Sequence, residues 1–176
     1  KVPITVLDRP NPNGHYVDGP VLDTAFRSFI GMQPVPVVYG MSIGEYAQML
    51  VGEKWLNTKN KLKLTVVSCK QYTHSMLYAL PVPPSPNLKT PTAVLLYPSL
   101  CFFEGTDVSV GRGTETPFEV WGHPTFNNNG FSFTPTARAG ASNPPHKDTP
   151  CYGADLRLPP ADILKITEGR ISLSFL

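Results

Sequence analysis

The sequence predicts an α/β fold, a parallel-sheet unit followed by a smaller α+β unit, and three observations lead to it. An apolar run, Val2-Pro3-Ile4-Thr5-Val6-Leu7, stops abruptly at the polar Asp8-Arg9-Pro10-Asn11-Pro12-Asn13-Gly14. A capped amphipathic helix follows it, and then a second apolar run from Leu62 to Cys69. Strand, helix and strand in this order make a βαβ unit, whose crossover sets the two strands parallel and puts their polar carboxyl ends on one rim.

Residues 2–7 read as a strand delivering a polar loop, although a Pro/Asn/Gly turn with Asp8 bonded to nearby backbone is the plainer alternative. The helix runs from about Ser42 to Trp55. Ser42-x-x-Glu45 forms a capping box, and Ile43, Ala47, Leu50, Val51 and Trp55 share one face. That position accounts for the charge of Glu45, which is read as structural. Residues 62–69 alternate and then become continuously apolar, as a buried strand does. Lys70-Gln71-Tyr72 at its end should join Asp8-Arg9 on the rim.

From Leu80 to Pro91, prolines 81, 83, 84, 86 and 91 exclude a helix and predict an extended surface run. Within it, Asn87 is suited to bond a sugar hydroxyl or N-acetyl group, or to cap a neighbouring turn. Thr92 to Tyr97 predicts a short helix ending near Pro98, where the domain boundary is placed, giving residues 1–98 and 99–176. Beyond it, 118–122, 131–136 and 151–158 read as strands of the second unit. Asn127-Asn128-Asn129-Gly130 is the turn between two of them, and 138–150 is a polar, proline-rich loop.

Composition narrows the function classes. A chain of 176 residues with 41% hydrophobic content can bury a core, and its 20 prolines point to long ordered loops. Lysines 54, 59, 61, 63 and 70 gather around one helix-to-strand connection without the interleaved aromatics that single-stranded nucleic acid needs, so they read as solvated surface. No apolar run is long enough to span a bilayer. Three widely spaced cysteines, Cys69, Cys101 and Cys151, argue against a disulfide framework. His15, His74, His123 and His146 show no zinc-site spacing, and neither metal nor cofactor is expected.

Chemistry concentrates in Phe103-Glu104-Gly105-Thr106-Asp107-Val108-Ser109-Val110-Gly111-Arg112-Gly113-Thr114. Three glycines permit left-handed or crowded backbone, while Glu104, Asp107 and Arg112 supply carboxylates and a five-donor fork. Together with Asp8-Arg9-Pro10-Asn11-Pro12 this run resembles one family, the NamZ-type exo-β-N-acetylmuramidases. The resemblance continues through Asp18-Gly19-Pro20-Val21-Leu22-Asp23, Ser28-Phe29-Ile30-Gly31, Pro34-Val35-Pro36 and Gly40-Met41-Ser42-Ile43-Gly44-Glu45. It extends to Pro83-Pro84-Ser85-Pro86-Asn87, Gly111-Arg112-Gly113-Thr114 and Pro117-Phe118-Glu119.

The resemblance implies a bacterial, periplasmic or extracellular glycoside hydrolase of peptidoglycan recycling, which trims N-acetylmuramic acid from the non-reducing end of cell-wall fragments. It also implies a remnant of a Rossmann-like parallel-sheet domain followed by a smaller α+β domain. Family members are longer and open with a half carrying a Pro-Glu-His-type motif, whose Glu is the usual candidate acid. This sequence lacks that motif and is expected to be a fragment, inactive by itself.

Glycoside hydrolysis needs one carboxylic acid to protonate the leaving oxygen and a second group to supply water or attack. Glu104 and Asp8 are the first candidates, with Asp23 and Asp107 behind them; pairing of Glu104 with Arg9 or Arg112, merely to hold the loop, is the alternative. The lactyl carboxylate of muramic acid calls for a planar cation. Arg112, between two glycines that would let a ligand approach, is preferred, with Arg9 second. Asn11, Asn87 and Thr114 complete the expected substrate contacts; Thr106, Ser109 and Thr114 equally suit turn stabilisation. A non-catalytic cell-wall glycan-binding module is the competing function. An esterase or peptidase is disfavoured, because no Gly-x-Ser-x-Gly elbow occurs.

Overall fold

A computed structural model describes residues 2–175. The chain divides into two compact units, residues 1–78 and 79–176. Both mix helices with small sheets.

In the first unit, β1 (Ile4–Leu7) pairs in parallel with β4 (Leu64–Val67), in the register Ile4↔Leu64 to Leu7↔Val67. Between them in sequence come β2 (Asp18–Val21), β3 (Pro36–Val38) and α1 (Ile43–Gly52). The expected βαβ unit is therefore present. β2 and β3 pair antiparallel as a separate two-stranded sheet. The helix begins where the capping box put it. The Glu45 amide donates to Ser42 Oγ and the Ser42 amide donates to Glu45 Oε2, satisfying two of the donors that a helix start leaves open. It ends at Gly52, a few residues short of Trp55.

In the second unit, α2 (Pro91–Leu100) follows its N-cap Thr90 and carries Pro98 inside. A stop at Pro98 was expected because proline removes a donor and crowds the preceding turn. Burial of Ala93, Leu96 and Leu100 on this helix carries it past that point, and a 3-10 turn over Cys101–Gly105 continues it. The core gathers these residues with Phe103, Val110, Phe118, Ile163 and Phe175. α3 (Pro160–Ile166) packs against α2 and supplies Ile163. β5 (Val120–His123), β6 (Ser132–Phe133) and β7 (Cys151–Asp155) form an antiparallel sheet in the order β5-β7-β6. The Asn127–Gly130 segment thus joins strands that are not neighbours, since β7, from beyond the 138–150 loop, inserts between them. The three cysteines are free thiols, and among the described residues no helix is long and apolar enough to cross a membrane.

Candidate functional site

The two parallel strands of the first unit deliver their carboxyl ends to one cleft of about 200 Å³, lined by Asp8, Ser42, Glu45, Gln48, Val66, Ser68, Cys69 and Tyr72. Asp8 follows β1 directly, and its backbone extends the pairing: the Asp8 amide donates to the Val67 carbonyl, and the Asp8 carbonyl accepts from the Cys69 thiol. Its carboxylate faces the start of α1. Oδ2 accepts from Ser42 Oγ at 2.6 Å, and Oδ1 accepts from the amides of Gly44 at 2.8 Å and Arg9 at 2.9 Å. Partial burial pushes the Asp8 carboxyl upward, but these three bonds outweigh it and hold its pKa below the ordinary aspartate value. Positive partial charge at the helix start favours the same ionised form.

Gly44 makes this approach possible. A Cβ there would lie 2.7 Å from Asp8 Cγ and 2.6 Å from Val66 Cγ1. Asn11 is committed to shaping the loop: its Nδ2 donates to the Met41 carbonyl, its Oδ1 accepts from the Asn13 amide, and its backbone bonds the Tyr72 hydroxyl. Arg9 is different. It is exposed, and its guanidinium makes no hydrogen bond or ion pair among the described residues. Asp23 caps the 3-10 turn Thr24–Phe26, accepting from the Ala25 amide.

In the second unit the glycine-rich run wraps around the start of β5. Ser109 exchanges backbone bonds with Gly122, and the Phe118 amide donates to the Val110 carbonyl. Glu104 Oε1 accepts from both Nε and Nη2 of Arg112, at 3.0 and 2.7 Å, while the guanidinium lies 5.0 Å from the Phe118 ring centre. Gly111 and Gly113 have φ of +76° and +84°. The space over them is filled by the chain itself: a Cβ on Gly113 would meet the Thr136 carbonyl oxygen and Pro144 Cγ, each at 2.6 Å, and one on Gly111 would meet Val120 Cγ2 at 2.6 Å. Close approach at these glycines therefore serves packing of the protein's own backbone. Thr106 Oγ1 donates to the Phe103 carbonyl and Thr114 Oγ1 to the Gly111 carbonyl, both closing turns. Asn87 is buried, with Nδ2 donating to the Gly140 carbonyl at 2.9 Å. The Asp107 carbonyl accepts from His146 Nε2.

Sequence reasoning passed over Ser42, Ser68 and Cys69 as cleft residues. Ser68 and Cys69 stand just past β4 as Asp8 stands just past β1, and the carboxyl-end rule applied to both strands finds them. It also passed over Glu119, a buried carboxylate that accepts from Thr90 Oγ1 at 2.7 Å. That hydroxyl in turn accepts from the Ala93 amide at the start of α2. Among the described residues no cluster of three or more His, Cys, Asp or Glu side chains is placed to hold a metal ion.

The polar cleft of the first unit lies at the carboxyl ends of its parallel strands, the place where ligands generally bind in open α/β sheets. Comparison with known proteins makes the class specific. Residues 1–92 match the family model for the N-terminal part of exo-beta-N-acetylmuramidase NamZ, and residues 95–174 match that for its C-terminal part. The chain belongs to the NamZ family. It is 35% identical to the peptidoglycan beta-N-acetylmuramidase NamZ of Bacillus subtilis (strain 168), an alignment covering 98% of this chain and 44% of that protein. A crystal structure of a DUF1343 family protein from Bacteroides fragilis NCTC 9343 superimposes with a TM-score of 0.91 at 50% identity, covering 98% of this chain and 48% of the other. A second DUF1343 structure from the same organism gives a TM-score of 0.70 at 25% identity, covering 85% of this chain and 43% of the other. The chain thus spans less than half the length of these relatives.

Proposed function

We propose that this chain is part of an exo-acting glycoside hydrolase that releases N-acetylmuramic acid from the non-reducing end of peptidoglycan fragments. The observation carrying this reading is the alignment with the curated Bacillus subtilis muramidase across nearly the whole chain. The cleft of the first unit is the proposed place for the sugar, since hydroxyl, amide and carboxylate groups converge there. Asp8, held ionised by its three donors, suits the carboxylate that stabilises or attacks, and is poorly suited to the general acid, which needs a raised pKa. Glu104, whose Oε1 takes two bonds from Arg112, is proposed to hold its own loop in the second unit. The acid is proposed to come from the portion of the family's length that this chain does not span.

For the lactyl carboxylate the geometry favours Arg9 over Arg112. Two donors of Arg112 are already taken by Glu104, whereas the fork of Arg9 is uncommitted. The first unit also supports the finer fold reading, a remnant of a Rossmann-like sheet. Parallel sheets are normally covered on both faces, yet Leu7 and Val67 on this two-stranded pair are 75% and 52% exposed. A peptidoglycan substrate and the oxidising side of the membrane belong to the same proposal.

The test is turnover by the full polypeptide on a chromogenic N-acetylmuramide and on the matching N-acetylglucosaminide. Release of free N-acetylmuramic acid, with Arg9→Lys lowering kcat/KM on the muramide about 5–100-fold and on the glucosaminide far less, is expected for a charge-assisted pair that loses its planar fork. Muramide binding without turnover would instead identify a glycan-binding module.

A further inference from the structure

One device at the cleft is not explained by the capping of α1. Glu45 uses Oε2 for the Ser42 amide, but its Oε1 lies 2.9 Å from His74 Nε2, across 29 positions of sequence. The other ring nitrogen, His74 Nδ1, lies 3.2 Å from the Gly14 carbonyl oxygen. Both nitrogens therefore face acceptors. A neutral imidazole brings one N–H and cannot serve both; an imidazolium brings two. Gly14 closes the loop that begins at Asp8, its amide donating to the Asn11 carbonyl. His74 thus spans from the helix that receives Asp8 to the far end of the loop that carries Arg9 and Asn11.

We propose that His74 is a positioning residue: as an imidazolium it clamps the Asp8–Gly14 loop, which carries Arg9, against Glu45 of α1 and so orders that loop for substrate. The proposal rests on the reading that this cleft takes the muramide. Facing His74 among the described residues are Glu45 from α1, the Gly14 and Gly40 backbone, and Tyr72 on its own segment, whose ring meets it edge-on at 5.7 Å. Glu45 is the only charged member of that set. The bond to Glu45, opposed by slight burial and aided by its charge, raises the pKa of His74 above its ordinary value. Burial pushes the Glu45 carboxyl up, but the Ser42 amide and His74 outweigh it and the net shift is downward. One proton more than a neutral ring can supply is thereby kept at the clamp. The clamp is complete below pH 6.5 and lost as pH rises through the raised pKa of His74.

Two measurements on the full polypeptide test this. The first is the pH titration of the His74 ring nitrogens by NMR. Both should be protonated below pH 6.5, with a midpoint above that of an ordinary histidine, and Glu45→Gln should bring the midpoint down. A midpoint at or below that of an ordinary histidine overturns the proposal, and this reading needs no variant of His74 to fold. The second is the muramide KM across pH. The wild-type KM should rise several-fold on the alkaline side, with kcat changing less. His74→Gln should show the high KM at all pH values. A His74→Gln protein with wild-type KM throughout, while Arg9→Lys raises it, refutes the clamp but leaves the cleft reading standing. If Arg9→Lys also leaves KM unchanged, the cleft reading fails and the clamp's role falls with it.

Discussion

Asp8 ties the end of β1 to the start of α1, and its effects are separable by pH. Its pKa is lowered on folding, so the unfolded chain binds the extra proton as pH falls. The stability it contributes is present above the ordinary aspartate value of 3.8 and is lost as pH drops through the lower folded-state value. Asp8→Asn should cost about 1–2 kcal/mol at neutral pH, the scale of charge-assisted bonds to a partly solvated carboxylate. The gap between the two proteins should narrow below pH 3.8 in denaturant titrations; a gap independent of pH would mean that shape, not charge, is what Asp8 supplies. Gly44 tests the same contact from the other side. Gly44→Ala improves helix propensity, yet it should destabilise by about 1–3 kcal/mol, because the new methyl overlaps Asp8 and Val66. A stabilised variant would show that the carboxylate can leave the helix start at no cost.

At the scale of elements, the second unit's loop is held by backbone that tolerates no side chain. Gly113→Ala combines a positive φ with a Cβ 2.6 Å from the Thr136 carbonyl oxygen. A loss of about 2–4 kcal/mol is expected in thermal or denaturant unfolding, from the left-handed cost plus overpacking; a neutral result would mean that the 138–150 segment shifts freely away. The same elements separate what was legible in the sequence from what was not. The β1, α1 and β4 trio was readable because its signals are local: an apolar run, the Ser42-x-x-Glu45 box, and a second apolar run. The paired reading of Glu104 with Arg112 was open for the same reason, the residues lying eight apart on one loop. Glu45's capping role was also readable, but its bond to His74 was not, since nothing in residues 42–45 points to a histidine 29 positions away. Nor was the insertion of β7 between β5 and β6, which depends on a strand beyond a loop, nor the use of Gly111 and Gly113 for self-packing, which depends on Val120, Thr136 and Pro144.

For the molecule as a whole, the account makes the carboxyl end of the β1–β4 pair the place where the sugar is held. The family assignment covers both units, through residues 1–92 and 95–174, but it does not choose between them. The choice rests on the cleft, on the uncommitted Arg9 that follows the cleft residue Asp8 in sequence, and on the contrast with Arg112, which Glu104 already engages. The most direct test is amide shift mapping of the full polypeptide with N-acetylmuramic acid, using N-acetylglucosamine as the comparison. Saturable shifts are expected at Asp8–Arg9, Ser42–Glu45 and Ser68–Tyr72, stronger for N-acetylmuramic acid and weakened by Arg9→Lys. Saturable shifts confined to residues outside that set, and unaffected by Arg9→Lys, would contradict it.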